Sequence, residues 1–268
     1  TTETSDRAFE EEVMLAGFAS APTKQEGAGV VFDQANETFT ARYNHETIAL
    51  AFAITEEAIE DNLYDRLAAR YTRALARSMA NTKQVKAANV LNNAQNTAFT
   101  GGDGKTLINN AHPLATGGTF SNVLATAADL NETSLEQSLI DIQAFVDERG
   151  LKIAAQGVKM IIPKELQFTA ERLMKTPQRV GTADNDINAI ASMGMVPQGY
   201  RVNNFLTDTD SFFLMTDVPN GMKMFVRSPI KTAMEGDFDT GNVRFKARER
   251  YSFGFSDPRA IFGNGKLV

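Results

Sequence analysis

The chain has no cysteine and no tryptophan among its 268 residues, and only two histidines, His45 and His112. Without cysteine there is no disulfide, no thiolate nucleophile and no cysteine-ligated metal site. A histidine-based metal site normally needs two or three imidazoles close together, which two histidines 67 positions apart do not offer along the sequence. No apolar run approaches the roughly 18 residues of a membrane helix. The sequence therefore predicts no metal, no thiol chemistry and no membrane span.

Charge of one sign is also not concentrated in any tail. The net charge is −6 and the isoelectric point about 5.1, and acidic and basic residues are interspersed. A chain of this charge does not attract phosphate backbones as a whole. Hydrophobic residues make up 43% of the chain, enough to bury a sizeable core in one large or two small domains.

Residues 99–118, FTGGDGKTLINNAHPLATGG, suggest a phosphate-binding loop beside a catalytic histidine. A P-loop needs glycine five residues before its Gly-Lys-Thr, and this chain has Phe99 there. His112 precedes Pro113 and is expected in an extended loop. The HExxH, GxSxG and helix-opening GxGxxG patterns do not occur. We therefore predict a glycine-rich turn without a ligand, and no catalytic or cofactor-binding residue. A carboxylate pair formed in space would leave no such signature, so a cytoplasmic hydrolase stays open as an alternative.

Hydropathy patterns divide the first third of the chain into three parts. Residues 1–25 are charged with a few apolar side chains and end in Ala21-Pro22, which predicts an N-terminal arm. Period-two alternation before and after Asn44–Thr47 predicts two strands joined as a hairpin. Apolar residues at every fourth position then predict one helix from about Glu56 to Asn93, roughly 55–60 Å long. The members of this stripe are Ile59, Leu63, Leu67, Tyr71, Leu75 and Met79.

The remaining two thirds alternate between helix and strand. A capping box at Thr133–Glu136 predicts a helix that closes at Arg149-Gly150. Residues 157–162 predict a buried strand, and Pro163 starts the next helix. Residues 242–255 predict a long strand with one cationic face, which is either a solvated edge or a surface that meets acidic residues of another subunit. That face carries Arg244, Lys246, Arg248 and Arg250.

This order of elements resembles the major capsid protein of tailed bacteriophages, with the fold named after phage Hong Kong 97. The segments that carry the resemblance are short, and their order and spacing make it specific. Within residues 112–122, the pattern HPL…GGT.SN is similar to that of the Mu-like branch of the family. The segments are Gly101-Gly102-Asp103-Gly104, His112-Pro113-Leu114, Gly117-Gly118-Thr119, Ser121-Asn122, Met160-Ile161-Ile162-Pro163, Thr216-Asp217, Asn220-Gly221-Met222-Lys223 and the run Arg248–Arg259.

The resemblance implies an α+β capsid fold with a defined division of the chain. Residues 1–25 would be the N-terminal arm and 26–54 an extended β-hairpin loop lying over an adjacent subunit. Residues 55–99 and 227–256 would form a peripheral domain with the long spine helix and the long strand. Residues 100–226 and 257–268 would form a mixed α/β axial domain.

The resemblance also implies a function. The chain would assemble, in the bacterial host cytoplasm, into pentamers and hexamers of an icosahedral shell that encloses double-stranded DNA without sequence-specific binding. Portal, scaffold and cement proteins would be its partners, and the virion its location. An encapsulin-type compartment shell shares the fold and is the first alternative. We expect seven residues at contacts between subunits: Arg42, His45, Glu46, Arg66, Arg70, Arg248 and Arg250.

Overall fold

The protein was analysed as a computed structural model that describes residues 1–61, 65–179 and 186–265. The five α-helices in this part are α1 (Glu56–Glu60), α2 (Asp65–Asn92), α3 (Glu132–Gln143), α4 (Gln167–Lys175) and α5 (Ala189–Met193). Its strands are β1 (Thr2–Thr4), β2 (Phe9–Ala16), β3 (Asn36–Asn44), β4 (Glu46–Ile54), β5 (His112–Pro113), β6 (Thr119–Phe120), β7 (Gly157–Ile162), β8 (Tyr200–Val202), β9 (Phe213–Thr216), β10 (Met222–Gly236), β11 (Val243–Phe255) and β12 (Ile261–Gly263).

The chain divides into two compact units. The first comprises Thr1–Glu10, Tyr43–Ala87 and Lys223–Gly254. Its four-stranded sheet has the order β1-β10-β11-β4, with β1 parallel to β10 and β11 antiparallel to β4. Leu75 and Met79 of α2 pack on Ala247 of β11, so the helical stripe meets the apolar face of the long strand.

The second unit comprises Glu11–Arg42, Ala88–Met222 and Phe255–Val268. Its four-stranded sheet has the order β12-β9-β7-β8. Helix α3 buries its apolar face against β7 and β9, and this contact forms the larger core. The main members of that core are Leu135, Leu139, Ile142, Met160, Ile162, Phe212, Leu214 and Phe262.

The predicted hairpin between β3 and β4 is wrong. Strand β3 pairs with β2, and β4 pairs with β11, so the two neighbouring strands belong to different sheets. Only His45 separates them, and the shortest common hairpin connection needs two residues. The chain therefore continues from one sheet into the next instead of reversing.

The predicted N-terminal arm, residues 1–25, contains two strands that the sequence did not indicate, and its role as an arm stays a prediction. Thr2–Thr4 hydrogen-bonds along β10, and Phe9–Ala16 pairs with β3. The exposure of β2 alternates along the strand, but three consecutive glutamates, Glu10–Glu12, hide this period in the sequence. The ribbon that carries a long loop is thus β2–β3, with residues 17–35 between its strands.

Two boundaries of predicted helices also differ. The capping box of α3 is formed by Asn131 and Ser134, since the Asn131 side chain accepts from the Ser134 amide at 2.8 Å. The helix ends at Gln143 rather than near Arg149. Beyond it, the Asp147 carboxylate accepts from the amides of Arg149 and Leu151 and shapes a tight turn that helix cannot continue through. The long helix is confirmed over 65–92, while Leu63 of its stripe lies outside the described residues.

Candidate inter-subunit surface

Strand β11 has two chemically different faces, as its alternation predicted. Side chains at successive positions of a strand point to opposite sides, and the exposed side of β11 is cationic. Arg244, Lys246 and Arg248 are exposed and Arg250 is half-buried. Their registered neighbours on β4 are small, so the cations stand above a flat surface. These neighbours are, in the same order, Ala53, Ala51, Ala49 and Thr47.

The cations of this face differ in whether the chain itself neutralises them. Arg244 forms an ion pair with Asp237 in the turn after β10. Lys246 and Arg248 make no ion pair within the described part of the chain. The sheet therefore offers two exposed positive charges beside a row of alanines. Such a surface can accept an acidic segment without a steric barrier.

The opposite face of the same sheet is neutralised internally. The Glu249 carboxylate is 2% exposed and lies 2.5 Å from the Lys83 ammonium of α2, which also stands 5.1 Å from the centre of the Tyr251 ring. Burial, and then the charge of Glu249, raises the pKa of Tyr251 to about 12. Glu46 forms an ion pair with Lys86. The predicted contact residue Glu46 is thus already engaged within its own subunit.

His45 is the centre of a hydrogen-bond chain rather than a simple turn residue. Its Nε2 lies 2.9 Å from the Ser5 hydroxyl, and its Nδ1 lies 3.0 Å from the Ser252 hydroxyl. Ser5 donates its own proton to Glu10 at 2.7 Å, so it accepts from Nε2–H, and Nδ1 accepts from Ser252. The imidazole is neutral in this arrangement. Nothing in the sequence around His45 signals partners 40 and 207 positions away.

The environment of His45 also disfavours its charged form. Desolvation is the largest cause that lowers the pKa of His45, and the positive charges of Arg250 and Arg227 lower it further, against an opposing effect of Glu10. An acidic pH should therefore destabilise the first unit through this residue.

We expect the free energy of unfolding to fall more steeply below pH 6.5 in the unmodified chain than in a His45→Gln variant. A histidine with a lowered folded-state pKa binds its proton first in the unfolded chain. The stability that neutral His45 contributes is thus complete above the ordinary histidine pKa of about 6.5. It is lost as the pH falls through the folded-state pKa. Urea unfolding at pH 7.5, 6.5, 5.5 and 5.0 measures the free energy of unfolding of both proteins. His112 is present in both proteins, so it contributes equally to both curves. Parallel curves of unfolding free energy against pH would contradict the prediction.

The other predicted contact residues are spread over the two units. Arg42 of β3 is exposed and lies 3.8 Å from the Glu11 carboxylate of β2. The side chain of Arg66 lies outside the described residues. Arg70 is exposed on α2. Within the described residues, Arg250 lies close enough to His45 to lower its pKa, and Arg248 lies on the cationic face.

A buried charge cluster in the second unit was not anticipated from the sequence. The Arg259 guanidinium lies 2.5 Å from Glu148 and 3.3 Å from Asp257, donates to the Val146 carbonyl at 2.7 Å, and stacks 4.4 Å from the Phe120 ring centre. Arg259 and Glu148 are 3% and 4% exposed. Burial is the main cause of a raised pKa of Asp257. The cluster borders a cavity of about 280 Å³, and it fastens the chain end to the turn after α3.

The glycine-rich segment 99–118 is partly buried, with Thr106–Ile108 and His112 inside and residues 115–118 exposed. The Gly101 amide donates to the Lys105 carbonyl at 2.7 Å, and a Cβ on Gly102 would meet the Thr40 backbone at 2.6 Å. His112 is fully buried, with its Nδ1 2.6 Å from Asp103 and its Nε2 3.2 Å from Asn122. These contacts fix the turn within the second unit.

Two classes of site are not found in the part of the chain that the structure describes. No group of three or more histidine, aspartate or glutamate side chains is arranged to hold a metal ion. None of the helices there combines the length and the apolar character needed to cross a bilayer. The surface of greatest chemical interest is therefore the exposed face of β11 and β4.

Comparison with solved structures finds phage particles. The chain matches the capsid of the cyanophage P-SCSP1u with a TM-score of 0.61 at 12% identity, covering 98% of this chain and 85% of that one. It matches the capsid of a native GTA particle with a TM-score of 0.60 at 12% identity, covering 98% and 86%. It matches a structure from Microbacterium phage Oxtober96 with a TM-score of 0.59 at 10% identity, covering 98% of this chain and 88% of that one. At these identities the likeness establishes the fold.

Sequence comparison supplies the family. A search of curated proteins finds no match. The profile of a family described as "Phage capsid protein" matches residues 38–264, which is most of the chain and includes both β4–β11 and the second-unit core. The chain therefore belongs to the phage capsid protein family.

Proposed function

We propose that this chain assembles into the pentamers and hexamers of an icosahedral head, and that the cationic face of β11 is one side of the contact between neighbouring subunits. Family membership makes it a major capsid protein, a structural and non-enzymatic component of a phage shell. That membership sets aside the hydrolase and the cellular compartment as alternatives.

The observation that carries the proposal is the exposed, unneutralised pair Lys246 and Arg248 beside the alanine row of β4. On the opposite face of the same sheet, the Glu249 carboxylate of β11 is paired with Lys83 of α2. A flat cationic surface favours an acidic partner surface and sets the register of the contact. Subunits that meet through two different surfaces form a ring when the rotation between neighbours closes.

The long loop between β2 and β3 supports a second contact. Residues 17–35 expose three consecutive apolar side chains, Val30, Val31 and Phe32, and Phe32 is 94% exposed. An exposed apolar run of this kind is typical of a surface that another chain covers. We assign the extended-loop role to this ribbon, and retain the peripheral and axial division of 55–99 with 227–256 and of 100–226 with 257–268.

Further parts of the proposal follow from the resemblance. The shell would enclose double-stranded DNA without sequence specificity, with portal, scaffold and cement proteins as partners, and would assemble in the cytoplasm of a bacterial host. Arg42, His45, Glu46, Arg66, Arg70 and Arg250 remain predicted contact residues beside Arg248. The Mu-like branch also stays a prediction.

The size distribution of the purified, untagged protein tests the proposal. We expect sedimentation velocity and negative-stain microscopy to show rings of five or six subunits, or closed shells tens of nanometres across, with or without added scaffold protein. A protein that stays a ~29 kDa monomer under all these conditions, including with scaffold and crowding agents, would contradict it.

A further inference from the structure

Apart from its first residue, Asp65, helix α2 lies in a stretch of the chain that has no acidic residue. From position 66 to position 102 there is no aspartate or glutamate, although the chain as a whole is acidic. A one-signed segment of this length differs from the interspersed charge elsewhere and marks a local positive field. The cations of the segment are Arg66, Arg70, Arg73, Arg77, Lys83 and Lys86.

Three of these cations form a row on the outer side of the helix. Arg70, Arg73 and Arg77 are spaced by three and four residues, which places them on one face. All three are exposed. Leu75 and Met79, each two positions after an arginine and thus about 200° around the helix, are 8% and 2% exposed and face the sheet. The arginine row therefore points away from the packed side.

The chain does not neutralise this row. Lys83 and Lys86 are paired with Glu249 and Glu46 of the sheet. Arg70, Arg73 and Arg77 make no ion pair and no side-chain hydrogen bond to any residue that the structure describes. The residues between them are also exposed: they are Tyr71, Thr72, Ala74 and Ala76, apart from the buried Leu75. The row is thus accessible along its whole length.

The geometry of the row matches a phosphate backbone. Seven helical residues rise about 10.5 Å from Arg70 to Arg77. One strand of a DNA duplex presents a phosphate every 3.4 Å or so along the axis, or about three over this length. The overall charge of −6 does not prevent this contact, because charges more than about 8–10 Å away are screened at physiological salt.

We propose that the row Arg70–Arg73–Arg77 binds phosphates of a nucleic-acid duplex without reading its sequence. The inference rests on the proposed function in one respect, namely that the shell encloses DNA. A second copy of the chain is the competing occupant of this surface, and the experiment below distinguishes it by particle formation. Arg70 is accordingly moved from the predicted contacts between subunits to the contacts with nucleic acid.

Salt-dependent binding of duplex DNA by the unassembled full-length chain tests the inference. The variant combines Arg70→Gln, Arg73→Gln and Arg77→Gln. Its matched control combines Lys105→Gln, Lys152→Gln and Arg201→Gln, which are also exposed and change the net charge equally. Dissociation constants for a random-sequence 30-base-pair duplex are measured between 50 and 200 mM salt, together with particle formation by sedimentation.

We expect the slope of log K against log salt to fall by about 2–3 in the variant, since each lost phosphate contact removes about 0.9. Binding at 50 mM salt should weaken at least tenfold, while the control keeps the slope and affinity of the unmodified chain. Equal slopes in variant and control would overturn the inference, as would undetectable binding by the unmodified chain at 50 mM salt. Loss of particles with an unchanged slope would also overturn it and assign the row to contacts between copies.

This experiment separates the two proposals. The slope is measured on free chains and does not depend on whether shells form. A chain that binds DNA through the row but never assembles would contradict the proposed function alone.

Discussion

Replacing Arg259 by methionine is expected to lower the free energy of unfolding by about 3–5 kcal/mol, the largest single loss in this chain. The guanidinium compensates Glu148, which is 4% exposed, and holds the raised pKa of Asp257 below what burial alone would impose. Methionine fills similar volume but leaves the carboxylates of Glu148 and Asp257 without their cation. The cost of such an uncompensated charge exceeds the loss of an ordinary hydrogen bond.

Urea unfolding of the unassembled chain, followed by circular dichroism, measures this loss. Arg201→Met is the matched control, because Arg201 is exposed and its replacement should change stability by less than about 0.5 kcal/mol. Arg259→Met combined with Glu148→Leu should recover part of the loss, since it removes both charges of the pair. A cost below about 1 kcal/mol for Arg259→Met alone would show that the cluster does not carry the stability assigned to it.

Reversing two charges on β11, with Lys246→Glu and Arg248→Glu, is expected to leave the subunit folded and to reduce assembled particles at least tenfold. Both side chains are exposed and unpaired within the described chain, so the fold loses no contact. An acidic partner surface would then meet like charge, which costs several kcal/mol at an interface, and each 1.4 kcal/mol is about tenfold. Arg250 is left unchanged, because it is half-buried near His45 and its replacement would perturb the subunit itself.

Sedimentation velocity and negative-stain particle counts measure assembly, and circular dichroism confirms the fold. Lys105→Glu with Lys152→Glu is the control, since it makes the same charge change on exposed residues of the second unit. That protein should assemble as the unmodified chain does. Shells of normal number and size from the β11 variant would refute the interface role of this face.

Local periodicity accounts for what the sequence predicted correctly. The alternation of β11 and the four-residue stripe of α2 depend only on backbone geometry and on which side chains avoid water. Both therefore appear in the structure within a residue or two of the predicted bounds, over the part that is described.

Local patterns did not predict which strands pair with each other or which distant side chains come into contact. Strand β3 has the pattern of a hairpin strand, yet it pairs with β2, because a one-residue connection at His45 cannot reverse the chain. The partners of Arg259 and His45 are 111 and 207 positions away, at Glu148 and Ser252. No local pattern encodes such distances.

By itself, the sequence determined the element types, the two-faced strand β11, the absence of thiol chemistry and, through short ordered segments, the resemblance to capsid proteins. The tertiary structure alone decided that the cations of β11 stand beside alanines, that Lys83 and Lys86 are neutralised while the arginine row of α2 is not, and that His112 is buried. The physical reason is that helix and strand follow from interactions over a few residues. Neutralisation and burial depend on which distant segments the folded chain brings into contact.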